Sequence, residues 1–488
     1  MVPLAARVVI SPTKSRAYHP SKTHSMGGTM KVNRRAALGG LAASALAAPA
    51  LARAADRPKR HIPPKPEIEG GALINKDRAY AVMEEYGLAG LIALDPINVY
   101  YMTNVRTIGV RFITEYPGFA TMSPDPDMPI YLVSGSSAAW DIANRDRETA
   151  ELMPYGYGGW NAAAFNTDGM PEEPTGGVTR HYHFRDDVEL TPREQRWKAA
   201  SDSFRDDIAA SAAWGLARAL KAQGITKGRV AVDDIRIARF LAQTDLPDVE
   251  CVDGYGVIQL IRMVKTPQEL AYQKLGSWNN GEACMATINA LEPGMRHSDV
   301  EQIFLAECAI RGNRVNNVIA GMPGGNFPDD GVLVAGKPYL IDCVSNYKGY
   351  MGDIARTFFF GDPPKEVEMR RRANQLAREA VFDAIRPGVK YSTLRQIGLD
   401  TMIKAGMPAH AVFVTPHSVG LQHDDNPMRM PNFGVEAFDH MLEENMTLTV
   451  DLPYLEVGWG SGHNEDLFRV TKSGYEPYNT ERDPFLVL

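Results

Sequence analysis

The feature that most constrains this chain is a pair of aspartates set into two apolar segments. Tyr339-Leu340-Ile341 runs into Asp342, Asn346 to Gly349 has turn character, and Tyr350-Met351-Gly352 runs back into Asp353, eleven residues after the first. The pattern predicts a β-hairpin whose two carboxylates face one another across the sheet, close enough to share a divalent cation. Two buried carboxylates at that range repel strongly unless a cation neutralises them. Surface aspartates flanking a turn would look the same, so the rest of the chain has to decide.

Three further residues continue the series. His417 follows a strand-like Ala411 to Val414, Asp451 ends the run Met446-Thr447-Leu448-Thr449-Val450, and Glu465 precedes Asp466. The first two follow apolar runs, as expected of side chains projecting from sheet edges into a cleft. Four carboxylates and one imidazole form an oxygen-rich set suited to manganese, iron, cobalt or zinc. The four cysteines, Cys251, Cys284, Cys308 and Cys343, lack CxxC spacing and read as free, buried thiols. His181 and His183 form a His-Tyr-His pair with no third ligand nearby, which favours a solvated or hydrogen-bonded role.

A length of 488 residues predicts two or three domains, and the segment order predicts an α/β fold. Arg78 to Tyr86 has helical period, Leu88 to Leu94 and Pro129 to Val133 are strand candidates, and Val230 to Asp233 is another. Gly156 to Thr191 is rich in Gly, Asn and Pro and reads as a long insertion; Trp197 to Gln223 returns to helical periodicity. A second unit opens at Leu260. There Thr266 is placed as a helix N-cap, with Pro267 at the first helical position and Glu269 closing a capping box. Further helices are announced by Pro293-Gly294-Met295 with Asp299-Val300, and by Pro363 to Arg386.

The net charge of −7 gives no reason to expect nucleic acid as a partner, which needs a concentrated basic surface, and the sequence shows no aromatic-and-basic stripe. At the amino terminus, Asn33-Arg34-Arg35 precedes a short, Ala-rich run from Ala36 to Ala52, and Ala52-Arg53-Ala54 offers a small-x-small cleavage site. The segment resembles a twin-arginine export signal. Residues 1–54 are therefore expected to be an export region, with Met30 or Met26 as the start, and the mature protein would begin near Ala55 outside the cytoplasm, periplasmic or secreted, without stable membrane insertion.

The Ile261-Arg262 to Glu269 segment, the Asp342/Asp353 hairpin with Arg356-Thr357, the His417-Ser418-Val419-Gly420-Leu421 stretch and the Glu465-Asp466 ending together resemble the creatinase, prolidase and aminopeptidase P superfamily. The resemblance implies a creatinase-like N-terminal domain over 72–255, a pita-bread domain over 260–488, a homodimer, and two divalent metal ions, manganese foremost. It assigns Asp342 to one ion, His417 and Asp451 to the other, and Asp353 and Glu465 as bridges. Hydrolysis of a small peptide or amide, of the Xaa-Pro type, is the implied activity.

The sequence also departs from the family. Asp451 stands where most members carry glutamate. Met322 to Pro328, with Asn326, occupies the stretch where the peptidases place a substrate-binding histidine. His423 follows the metal histidine by six positions rather than about seven, and is the expected residue for proton transfer or transition-state stabilisation. His463-Asn464 replaces an arginine before the last glutamate. The same fold hosts dimethylsulfoniopropionate lyases and metal-free creatinases, and an inactive metal-binding homologue is a further alternative.

Overall fold

The computed structural model describes residues 68, 70–107, 118–135, 138–143, 150–156, 164–165, 169–174, 183–204, 207–321, 331–479 and 485–488. The chain divides into two units, Met1–Ile62 and Pro63–Leu488. The first unit, with Arg34-Arg35 and the expected export region, lies outside the described residues, as do His181 and the Met322 to Pro328 stretch. The exposed His183 is described. No helix among the described residues is long and apolar enough to cross a membrane.

The second unit is α/β. Strands β1 (Gly90–Ala93), β2 (Phe119–Met122), β3 (Tyr131–Gly135) and β4 (Glu151–Tyr155) come first, and a short β5 (Ala164–Phe165) and β6 (Pro171–Glu172) hairpin lies in the insertion. With β7 (Gly228–Val232) and β8 (Val249–Asp253), the first four build a six-stranded mixed sheet ordered β4-β3-β2-β1-β7-β8. The continuous apolar runs of β1 and β2 are buried along their whole length, as central strands covered on both faces should be. The periodic stretch from Trp197 to Gln223 is two helices, Pro192–Asp202 and Ala212–Ala222, rather than one. A Thr191–Glu194 capping box starts the first, and Ser211, in extended conformation, caps the second by accepting from Trp214 N.

The second half contributes β9 (Arg314–Ala320), β10 (Pro338–Tyr347), β11 (Tyr350–Phe359), β12 (Thr415–Ser418) and β13 (Thr447–Asp451). Short strands follow: β14 (Tyr454–Glu456), β15 (Gly460–Gly462), β16 (Glu465–Asp466), β17 (Phe468–Val470), β18 (Tyr475–Pro477) and β19 (Phe485–Val487). One sheet runs β16-β11-β10-β9 with β19 also on β11; another runs β12-β13-β17-β18. The Pro267–Ile288 and His297–Arg311 helices bury Ala283, Cys284, Phe304 and Cys308 against Val318, Ile341 and Ile354 of the first of these sheets. The Lys365–Ala384 and Tyr391–Lys404 helices do the same for the other, through Val381, Phe382 and Leu394 against Leu448, Val450 and Phe468. A further core unites Leu91 and Tyr101 with Ile258, Ile261, Tyr350 and Leu421, which anchors the six-stranded sheet to the hairpin region.

The Pro267–Ile288 helix begins as its sequence predicts. Thr266 accepts from Glu269 N, Glu269 accepts from Thr266 N, and Pro267 occupies the first turn, where it sacrifices no helical hydrogen bond. Midway along, Gly276 and Gly352 let this helix approach β11 closely: a Cβ on Gly352 would stand 2.6 Å from Ser277 Cα. Of the four cysteines, all free, Cys284, Cys308 and Cys343 are buried and Cys251 is half-buried.

The predicted hairpin is β10–β11, but its register corrects one detail. Asp342 pairs with Ala355, and Asp353 pairs with Val344, so the aspartates lie diagonally on one face rather than directly opposite. The strand before His417 also shifts: β12 is Thr415–Ser418 and includes the histidine, while Ala411 to Val414 lies outside it. Val412 makes an isolated antiparallel bridge to Tyr454, and the β12–β13 ladder begins where Thr415 meets Asp451.

Candidate metal centre

Three strands build one wall of the site. Asp342 on β10, Ala355 on β11 and Glu465 on β16 form a single rung, with the alanine methyl leaving space between two acidic side chains. Asp353 lies two residues before Ala355 on the same face of β11. The opposing wall comes from β12 and β13. His417 pairs with Thr449 and Asp451 with Thr415, so His417 and Asp451 are diagonal neighbours. The Thr449 hydroxyl donates to Glu465 Oε1 at 2.9 Å and ties the walls together.

All five residues expected as ligands therefore converge. His417 Nε2 is 3.3 Å from Asp451 Oδ1 and 3.7 Å from Glu465 Oε1. The ligand atoms of His417, Asp451 and Glu465 all lie within 4.8 Å of one another, and so do those of Asp342, His463 and Glu465. Glu465 is common to both groups. A third group joins Asp353, His417 and His423.

The electrostatics favour bound positive charge. Burial first, then the neighbouring acids, raises the carboxyls of Asp342, Asp353 and Glu465 above the ordinary range. Burial alone would pull the His417 imidazole down, but Asp451 and Glu465 outweigh it and hold it well above its usual value. Asp353, then Asp424, carry the His423 imidazole up to about 11. Each shift says that this cluster binds positive charge, as protons or as metal. Asp342 Oδ1, both Asp353 oxygens, Asp451 Oδ1 and His417 Nε2 are buried and make no hydrogen bond among the described residues. Buried polar atoms are rarely left so, and these are the atoms a metal would use. On the far side of the ring, His417 Nδ1 lies 3.2 Å from the His423 carbonyl, which fixes the ring's orientation and leaves Nε2 facing the carboxylates. The residues present thus fit divalent cations.

His423 stands at the solvent side of the cluster. It is 46% exposed, its Nε2 lies 3.1 Å from Asp353 Oδ2, and its Nδ1 lies 3.4 Å from Asp424 Oδ2. Its ring packs on that of His417 with centroids 4.8 Å apart.

The loop carrying His423 is fixed from below by a buried ionic cluster that the sequence reading did not anticipate. Asp425 accepts from Arg262 at 2.5 Å and from Lys265 at 2.8 Å, and all three side chains are at most 1% exposed. Arg262 also donates to Asn98 and Gln422, and Lys265 donates to the Arg262 carbonyl. Gly420 is required here, since a Cβ would run into the Asp425 carboxylate. Two cations inside the apolar run Ile261-Arg262-Met263-Val264-Lys265 were the available signal. His463, noted in the sequence only as a departure, also reaches the site.

Comparisons agree with this geometry. Residues 279–472 match the model of metallopeptidase family M24. A probable dipeptidase of Mycobacterium tuberculosis is 28% identical over 265 residues, 51% of this chain and 68% of that protein. An Xaa-Pro dipeptidase of Lactobacillus helveticus is 21% identical over 301 residues, 59% and 77% of the two chains. A dimethylsulfoniopropionate lyase of Roseobacter denitrificans is 24% identical over 421 residues, 82% and 83%. Among solved structures, a dipeptidase from Pyrococcus horikoshii superposes with a TM-score of 0.62 at 17% identity, covering 85% of this chain and 99% of its own. The expected pita-bread fold is therefore present, and it is the domain over residues 279–472 that matches metallopeptidase family M24.

Proposed function

We propose that the protein is a dinuclear metal-dependent hydrolase of short peptides, acting on Xaa-Pro or related dipeptides. The observation that carries this reading is the sharing of Glu465 between two potential metal groups, with Asp353 beside them and with Asp342 Oδ1, both Asp353 oxygens, Asp451 Oδ1 and His417 Nε2 making no hydrogen bond among the described residues. Asp342, Asp353, His417, Asp451 and Glu465 would hold the ions. Bound divalent cations supply Lewis acidity, which activates water near neutral pH and polarises a scissile carbonyl.

The chain's own residues do the rest. Asp424 contacts the His423 ring at Nδ1 and the Asp353 carboxylate lies 3.1 Å from Nε2, so the imidazole stands at the mouth of the site, where it can pass a proton to a leaving amine or hydrogen-bond a developing oxyanion. The buried Arg262–Asp425–Lys265 cluster keeps that loop in place. His417 is held in position by its Nδ1 contact with the His423 carbonyl, so the loop's geometry and the metal wall are mechanically linked.

The test is hydrolysis of a panel of Xaa-Pro and non-proline dipeptides by chelator-treated protein with single metals restored, alongside Asp353→Ala. Metal-dependent cleavage abolished in the variant supports the reading; no cleavage of any dipeptide with two ions bound refutes it. A second reading follows from the extent of the match to the dimethylsulfoniopropionate lyase, which spans 82% of this chain. The same preparations incubated with dimethylsulfoniopropionate separate the two. The proposal includes a homodimer, an export region over 1–54 with domains over 72–255 and 260–488, and location outside the cytoplasm; the export part rests on the Arg34-Arg35 pattern.

A further inference from the structure

We infer that His463 is a sixth protein ligand, which gives each of the two metal ions its own imidazole and turns the site's preference from manganese toward zinc or iron. This rests on the metal reading above and goes beyond its five ligands.

Position is the first argument. His463 is buried, two residues before Glu465, and its Nε2 lies 3.6 Å from Glu465 Oε2. On the other side of the same carboxylate, Oε1 lies 3.7 Å from His417 Nε2. One carboxylate thus has an imidazole facing each of its oxygens, an arrangement with approximate mirror character. Asp342 completes the His463 group and Asp451 the His417 group, so each imidazole is matched with one private aspartate and the shared Glu465.

Distance is the second. Hydrogen-bonded N–H···O pairs stand about 2.7–3.2 Å apart. A nitrogen and an oxygen that each sit about 2.1 Å from one cation stand about 3.0 Å apart at a right angle and about 3.6 Å apart at 120°. Both imidazole–Glu465 separations are too long for a hydrogen bond and match an ion between them.

Rigidity is the third. The Thr357 hydroxyl accepts from His463 N at 2.9 Å and donates to the His463 carbonyl at 3.2 Å, so the backbone of this residue is clamped to β11. A clamped ligand loses little freedom on binding.

The consequence is chemical. Carboxylate and water donors suit manganese and magnesium, whereas imidazole suits zinc, iron and nickel. A set of four carboxylates with one imidazole per ion is displaced toward the latter.

The test compares the full chain with His463→Gln and His463→Asp. X-ray absorption at the zinc edge of zinc-loaded protein should count one imidazole per zinc in the wild type and half that in His463→Gln. In competition between zinc and manganese, His463→Asp should lower the zinc-to-manganese ratio about tenfold or more, with circular dichroism unchanged. Two zinc ions bound in the wild type with only half an imidazole per zinc overturns the inference while leaving the five-ligand site intact. Manganese bound with no zinc also overturns the inference, whereas neither metal bound overturns the underlying metal reading instead. Because His423 shares a potential metal group with His417, the imidazole lost on substituting His463 decides the count: His463→Asp gives the same comparison should His463→Gln fail to fold, and a count unchanged from wild type overturns the inference.

Discussion

Removing Asp425 tests whether the buried ionic cluster beneath the His423 loop holds the site together. Asp425 carries the negative charge for Arg262 at 2.5 Å and Lys265 at 2.8 Å, with none of the three more than 1% exposed. Burial would raise its carboxyl, but the two cations outweigh that and hold it below the ordinary range, so its contribution is present at neutral pH and is lost as pH falls through about 4 and below. Breaking a buried pair by deleting one partner costs about 3–5 kcal/mol, because the remaining charge is left without compensation. Two cations are stranded by Asp425→Ala, yet Arg262 keeps Asn98 and Gln422 and Lys265 keeps the Arg262 carbonyl. The expected loss is therefore about 3–5 kcal/mol rather than twice that. Urea unfolding followed by circular dichroism measures it. Since the same loop orients His417 through the His423 carbonyl, metal affinity should also fall about 10- to 100-fold, as when a ligand's supporting contact is removed. A stability loss under about 1 kcal/mol, the range of exposed ion pairs, would refute the argument.

Three other outcomes follow from the same structure. Gly352→Ala should destabilise by about 1–3 kcal/mol in the same unfolding assay, because its Cβ would meet the backbone of the Pro267–Ile288 helix at Ser277 Cα and Gly276 O, which cannot rotate away. Chelation should lower the unfolding temperature and titrating metal back should release protons, measured by calorimetry in two buffers of different ionisation enthalpy, because the site's carboxyls and His417 hold protons that a metal replaces; metal binding with no proton release would contradict it. Burial pushes Glu269 up to about 8 and Asp233 to about 7, so the native state holds protons that the unfolded chain has lost. Stability should fall as pH rises from about 4 to about 8, and the double variant Glu269→Gln with Asp233→Asn should flatten that slope in urea midpoints; an unchanged slope would count against it.

The sequence by itself determined the local elements and the chemical inventory. Thr266, Pro267 and Glu269 specify a helix start through bonds made within four residues, so the capping box was legible before any packing was known. The apolar runs into Asp342 and Asp353, with a turn between them, specified a hairpin with acidic residues, and the order of Asp342, Asp353, His417, Asp451 and Glu465 indicated one set of candidate ligands, whose side chains the fold brings together. Register was not legible to the residue: the turn at Lys348-Gly349 set Asp342 against Ala355, which placed the two aspartates diagonally and brought Glu465 onto the same rung from a strand more than a hundred residues away. The break between Pro192–Asp202 and Ala212–Ala222 was hidden because helical periodicity continues through it, while the deciding bond is the cap at Ser211.

Long-range placement decided the rest. That Arg262 and Lys265 are buried against Asp425, 160 or more residues away, depends on a loop folding back over a helix end, and charges in an apolar run do not reveal their partner. His463 is one histidine among eleven in the sequence. Only the pairing of β16 with β11 and the clamp at Thr357 bring it to the carboxylates, because a side chain becomes a potential ligand through where its neighbours hold it, and those neighbours are distant in the chain.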